Sequence, residues 1–167
     1  MDLLETVDNN LLRGILKAPQ STPKEMFFLE LGILPLREII RKRRLGFLYY
    51  ILQQKEDSII SKVFKSQMNN PTPKDWVSTI VSDLKQLNLN IQFEDIKQMK
   101  KFDFMNTVKR KIRYKTLKDL EKWKEKHTKV KHLNHSVLKM QNYLTANACK
   151  MKQEDSQLIF KLRSTKN

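Results

Sequence analysis

FDFMNTVKRKIRYKTLKDLEKWKEK, residues 102–126, is the stretch on which the fold turns. Phe102, Met105, Val108, Ile112, Leu120 and Trp123 recur at helical intervals, and Thr116 fills the gap, so the spacing predicts one long amphipathic helix. Its apolar stripe needs other apolar surfaces to cover it. The whole chain holds only 3 Gly and 5 Pro, too few for the turns of an all-β protein, so those surfaces should also be helical. The expected fold is all-α: an irregular bundle of about seven or eight helices, with scope for two helical subdomains.

Upstream, Asp2 and Glu5 fit a capping box, and Leu3, Leu4, Val7, Leu11, Leu12 and Ile15 follow at helical spacing until Pro19. Thr22-Pro23-Lys24-Glu25 is a second start signal, for a short helix that stops at Gly32. Pro35 opens a third, running to about Gln54. Asp57 caps a fourth, ended by Asn69-Asn70-Pro71. Thr72-Pro73-Lys74-Asp75 launches a fifth through Trp76, Ile80, Leu84 and Leu87. Residues 87–93 alternate apolar and polar and read as a short extended connector with no strand to pair with. Short helices are expected around residues 137–144 and 153–162. The serial division is residues 1–90 as a helical subdomain, 91–127 as the long basic segment, 128–135 as a polar linker and 136–167 as C-terminal helices.

Charge is the functional clue. Thirty-three Lys and Arg against 18 Asp and Glu leave +15 at pH 7. Such an excess weakens the compact state unless a polyanion offsets it. Two concentrations stand out. Arg37, Arg41 and Arg44 are spaced i, i+4, i+7 along the third helix, with Lys42 and Arg43 between them. The apolar stripe of that helix reads as Leu36, Ile39, Ile40, Phe47, Tyr50 and Ile51, which leaves the arginine row on a flank where its forks can engage phosphates. Arg43 lies nearer the stripe and is expected to pair with a carboxylate or a helix carboxyl end. The plain alternative for the row is a solvated face packed against carboxylates such as Glu25 or Glu30.

The second concentration, residues 97–131, holds fourteen Lys or Arg and carries +10 of the net +15. Lys109, Arg110, Lys111, Arg113, Lys115 and Lys118 are its candidate nucleic-acid contacts. An amphipathic basic helix also suits a membrane surface or a calmodulin-like partner. Because the stripe here reads as core contact, the backbone of RNA or DNA is the preferred partner.

Catalytic patterns are missing. His127, His132, His135 and Cys149 match no metal-ligand spacing, and three scattered glycines build no phosphate loop. Neither a metal nor a cofactor is expected. The acidic pairs Glu56-Asp57, Glu94-Asp95 and Glu154-Asp155 each read as helix openings rather than a catalytic dyad. Nothing pairs a serine or the single cysteine with a base, so no enzymatic activity is expected. One cysteine allows no intrachain disulfide, the acidic start does not suit a signal peptide, and no run approaches the ~20 apolar residues of a membrane span. The expectation is an intracellular protein, nuclear or cytoplasmic, without membrane attachment.

Several short motifs occur in order: Leu12-Arg13-Gly14-Ile15-Leu16-Lys17-Ala18-Pro19, Thr22-Pro23-Lys24-Glu25-Met26, Leu29-Glu30-Leu31-Gly32, Pro35-Leu36, Arg43-Arg44 and Phe47-Leu48-Tyr49-Tyr50-Ile51-Leu52. Phe64, Gln67, Asn70-Pro71-Thr72 and Asp75-Trp76-Val77 continue them, and thinner matches reach Phe160-Lys161-Leu162-Arg163. Together they resemble a segment downstream of the reverse-transcriptase domain in polyproteins of animal non-LTR retrotransposons. The resemblance implies a thumb-like or linker role that grips the template–primer backbone, with Arg37, Arg43 and Arg44 at matching positions. It places the polymerase aspartates in an upstream Tyr-x-Asp-Asp motif, and this chain has no adjacent Asp-Asp. The Cys/His-rich module that usually follows in such polyproteins is not found after Arg163. Polymerase and endonuclease activity are therefore not expected. The competing expectation is a helical protein-interaction module, or an inactive remnant, that once packed on the missing polymerase domain.

Overall fold

The computed structural model describes residues 2–127, 137–145 and 153–165. Among these residues it is all-α, with eight α-helices, one short 3-10 turn and no strand. In chain order the helices are α1 (Asp2–Leu16), α2 (Lys24–Leu31), α3 (Leu36–Leu52), α4 (Ile59–Asn69), α5 (Trp76–Gln86), α6 (Phe93–Gln98), α7 (Lys101–Lys126) and α8 (Gln153–Thr165). By compactness the chain divides in an interleaved way. Residues 1–37 and 113–167 form one compact unit, and residues 38–112 form the other. The long helix α7 contributes residues to both.

In the first unit, Leu12 and Leu16 of α1, four consecutive residues Met26–Leu29 of α2, Leu120 of α7, Phe160 of α8, and Leu138, which lies in no helix, make one buried cluster. Helix α2 is surrounded on nearly every side, so it carries no polar stripe, as a short central helix must. The Phe27 and Phe160 rings stack with centroids 5.9 Å apart. Glu30, fully buried in the same helix, accepts a 3.0 Å hydrogen bond from Arg163 Nε. Helix α2 ends at Gly32 in the left-handed conformation (φ 64°), and a Cβ there would lie 2.3 Å from the backbone of Lys139 and Met140. Both the dihedral and the close approach require glycine. The irregular segment 137–141 runs against this corner, and Gln141 N–H donates to the Glu30 carbonyl at 2.9 Å. The helix expected over 137–144 therefore shrinks to a 3-10 turn at Asn142–Leu144, because its backbone bonds to α2 instead. The linker expected at 128–135 lies outside the described residues.

Helix α1 divides its apolar residues. Leu12 and Leu16 are buried, while Leu3, Leu4, Val7, Leu11 and Ile15 are all more than half exposed. The single stripe expected from spacing is in fact two faces.

The second unit buries Leu45, Leu48 and Ile51 of α3, Phe64 of α4, Val77, Ile80 and Leu84 of α5, Ile96 of α6, and Phe104, Val108 and Ile112 of α7. Ser58, one residue beyond the expected Asp57, caps α4 by accepting from Ser61 N–H at 3.2 Å. Asp75 caps α5, accepting from Ser78 N–H at 2.6 Å and from Thr72 N–H at 2.6 Å. These two backbone bonds hold the Asp75 carboxyl below its ordinary range. The connector at 87–92 alternates as expected, with Leu87 and Leu89 buried and Asn88 and Asn90 exposed, and it forms no strand.

Candidate nucleic-acid interface

The arginine row of α3 is not an open flank. Arg41 is only 7% exposed. Its Nε donates to Asp83 Oδ1 at 2.9 Å, and its Nη1 donates to Glu38 at 2.6 Å. Arg44 reaches the same Asp83 carboxylate from the next turn, with Nε at 2.8 Å from Oδ2. Burial works against the charged guanidinium of Arg41, but the bonds and charges of Asp83 and Glu38 outweigh it and raise its pKa above the ordinary value. Arg41 as a phosphate ligand is thus corrected: it is the centre of an internal ion cluster. The physical reason is a misplaced stripe. Helix α3 buries Glu38, Arg41, Leu45, Leu48 and Ile51, leaving Ile39, Phe47 and Tyr50 on the outward side. The i, i+3 pair Glu38–Arg41 was the available signal. The carboxylates that take Arg41 and Arg44 are Glu38 and Asp83.

The remaining α3 cations differ among themselves. Arg37 and Arg43 are exposed, and Lys42 is half-buried. Arg43, expected to pair with a carboxylate, points away from the buried face and makes no ion pair among the described residues.

Helix α7 keeps its charge outside. Its buried positions Phe104, Val108, Ile112, Thr116 and Leu120 repeat every four residues, and Trp123 is half-buried beyond them. Phe104 takes the place expected for Phe102, which is 74% exposed. In the part of α7 belonging to the second unit, Lys109 and Arg110 are exposed, while Lys111 is half-buried with Nζ 3.4 Å from the Asn88 carbonyl. In the part belonging to the first unit, Arg113, Lys118, Lys122 and Lys126 are exposed. Lys115 is half-buried and paired with Asp119 at 2.9 Å. Lys115, Lys118, Lys122 and Lys126 share one side of the helix at spacings of i, i+3, i+7 and i+11, a span of roughly 16 Å. Lys122 and Lys126 were missing from the residues first singled out, although their four-residue steps from Lys118 already placed them on that side. Glu121 and Glu125 border the row, so it is rich in lysine without being free of counter-charge.

Among the described residues, no group of three or more His, Cys, Asp or Glu could hold a metal ion. His127 stacks on Trp123 with centroids 4.7 Å apart, at the end of α7. His132, His135 and Cys149 lie outside the described residues. None of the described helices is long and apolar enough to cross a membrane. No protein-family model, no curated protein and no solved structure matches the chain.

Proposed function

We propose that this chain is a non-catalytic, sequence-tolerant nucleic-acid-binding module that grips the RNA or DNA backbone through α7. The observation that carries the reading is the exposed lysine row Lys118, Lys122 and Lys126 on a helix whose opposite side is anchored in the core. Anchoring fixes the cations in a line, so phosphates can be met without first ordering the helix. The retrotransposon resemblance supports the same reading, as a backbone-gripping segment of a larger polymerase. A salt titration of affinity tests it. Each neutralised phosphate contributes a slope of about −0.9 in the log–log plot on duplex DNA. Three contacts from the row predict a slope of about −2.7 or steeper, and a flat profile or no binding at low salt defeats it.

A second reading, a helical protein-interaction module or a remnant that packed on a missing polymerase domain, is favoured by α1. Leu4, Val7, Leu11 and Ile15 form an exposed stripe at helical intervals, each more than half accessible. Binding of a hydrophobic dye that falls when Leu4 and Leu11 are changed to Gln supports this reading, and the absence of dye binding removes its basis.

A further inference from the structure

Phe47 and Tyr50 occupy the outward side of α3, each about half exposed (48% and 49%). Their rings lie within 15° of parallel with centroids 5.9 Å apart. Trp76, at the start of α5, meets the edge of Phe47 at 5.6 Å and 80°, which fixes the pair from one side. Beside them a cleft of about 240 Å³ opens between Phe47, Ile60, Val63 and Trp76, with almost wholly apolar walls. Surface aromatics of this kind are common in protein contacts, so the occupant has to be read from the charges around them. Arg43 sits one turn before Phe47 on the same side of α3, exposed and without an ion pair among the described residues. Lys74 is exposed two residues before Trp76. The nearest carboxylate in sequence, Asp75, already has its oxygens engaged by the Ser78 and Thr72 amides. The margin of the aromatic face therefore keeps a net positive charge, Arg43 and Lys74 against the one carboxylate of Asp75.

We infer that the Phe47–Tyr50 pair is a stacking platform for the bases of a single-stranded nucleic acid, whose phosphates are met by Arg43 and Lys74. The inference rests on the nucleic-acid reading above and deepens it by naming the strand state. Every base has a π-face, whereas a duplex keeps its bases stacked on one another and offers the platform only backbone. The cleft walls are apolar apart from Gln67 and offer little hydrogen-bond readout of base edges, so the platform discriminates weakly between sequences. Free guanidinium and ammonium groups favour a polyanion over an apolar peptide at this margin.

The test uses the full chain at fixed moderate salt, with a 12-nucleotide single strand and a duplex of equal length as probes. Phe47→Leu and Tyr50→Leu keep the apolar surface and remove the ring face. The double variant is expected to bind the single strand about tenfold or more weakly while duplex affinity is unchanged. A second readout does not depend on that variant folding well. With Trp123→Phe, Trp76 is the single tryptophan, and the single strand should quench its fluorescence while the duplex does not. Binding of both probes with neither a loss in the double variant nor quenching overturns the platform, leaves the face to a protein partner, and spares α7. Failure of both probes to bind overturns the α7 reading and the platform together.

Discussion

Arg41 shows how a residue type can point to the wrong partner. Arginine is suited to phosphate and to carboxylate by the same planar fork, and only its surroundings decide between them. Here Glu38 comes from the preceding turn and Asp83 from α5, so the guanidinium is buried between two carboxylates. Removing one member of such a cluster strands the others. Arg41→Ala is expected to cost about 3–5 kcal/mol in chemical denaturation, and Arg41→Lys should recover little because an ammonium cannot reproduce the fork. The affinity of the folded fraction for nucleic acid should not change. A selective loss of affinity at unchanged stability would return Arg41 to the binding surface. The burial of Asp83 was not legible from the sequence: nothing local to α5 indicates that an acidic residue beside Leu84 faces a cation 42 positions away.

At the scale of elements, starts, stops and periodicity carried most of the information. The 102–126 reading of α7 differs from Lys101–Lys126 by one residue, since an uninterrupted apolar period is a strong local signal. Gly32 ended α2 as expected. What spacing does not encode is which of two apolar arcs is covered, so α1 and α3 were legible as helices and illegible as faces. Residues 137–144 failed for a related reason, because their backbone partner lies on α2, more than a hundred residues earlier. The α5 cap offers a pH prediction. Asp75 is held below its ordinary value of 3.8, so its contribution to stability is complete above the usual carboxylate range and is lost as pH falls through the lowered value. Asp75→Ala should therefore melt a few degrees lower at neutral pH, with the gap to the parent chain narrowing below about pH 4. A gap that stays constant down to strongly acidic pH would show that the charge is irrelevant to the cap. On α7, Lys118→Glu with Lys122→Glu should leave the melt nearly unchanged and reduce the steepness of the salt slope by about two phosphate contacts. An unaltered slope would place the binding surface elsewhere.

At the scale of the whole molecule, the +15 charge acts on stability before any partner is considered. Most of the α7 cations are exposed, and the internal cluster at Arg41 shows that acidic residues are partly spent on holding arginines inside. Exposed like charges repel over about 30 Å at 0.01 M salt and about 10 Å at 0.1 M. The melting midpoint should therefore climb as salt rises through this range, as screening relieves the repulsion. A polyanion should do the same at low salt by a different route, binding the native state and raising the midpoint with its concentration. Added salt then acts in opposite directions on the two effects, helping the free chain and releasing the polyanion. Melts recorded with and without a single-stranded oligonucleotide should consequently differ most at the lowest salt and converge as salt increases. If salt alone raises the midpoint and the oligonucleotide adds nothing at any salt, the excess charge is a general surface property and the nucleic-acid reading falls. If the two curves stay apart at high salt, contacts beyond phosphates hold the strand, and the aromatic face of α3 is the place from which they would come.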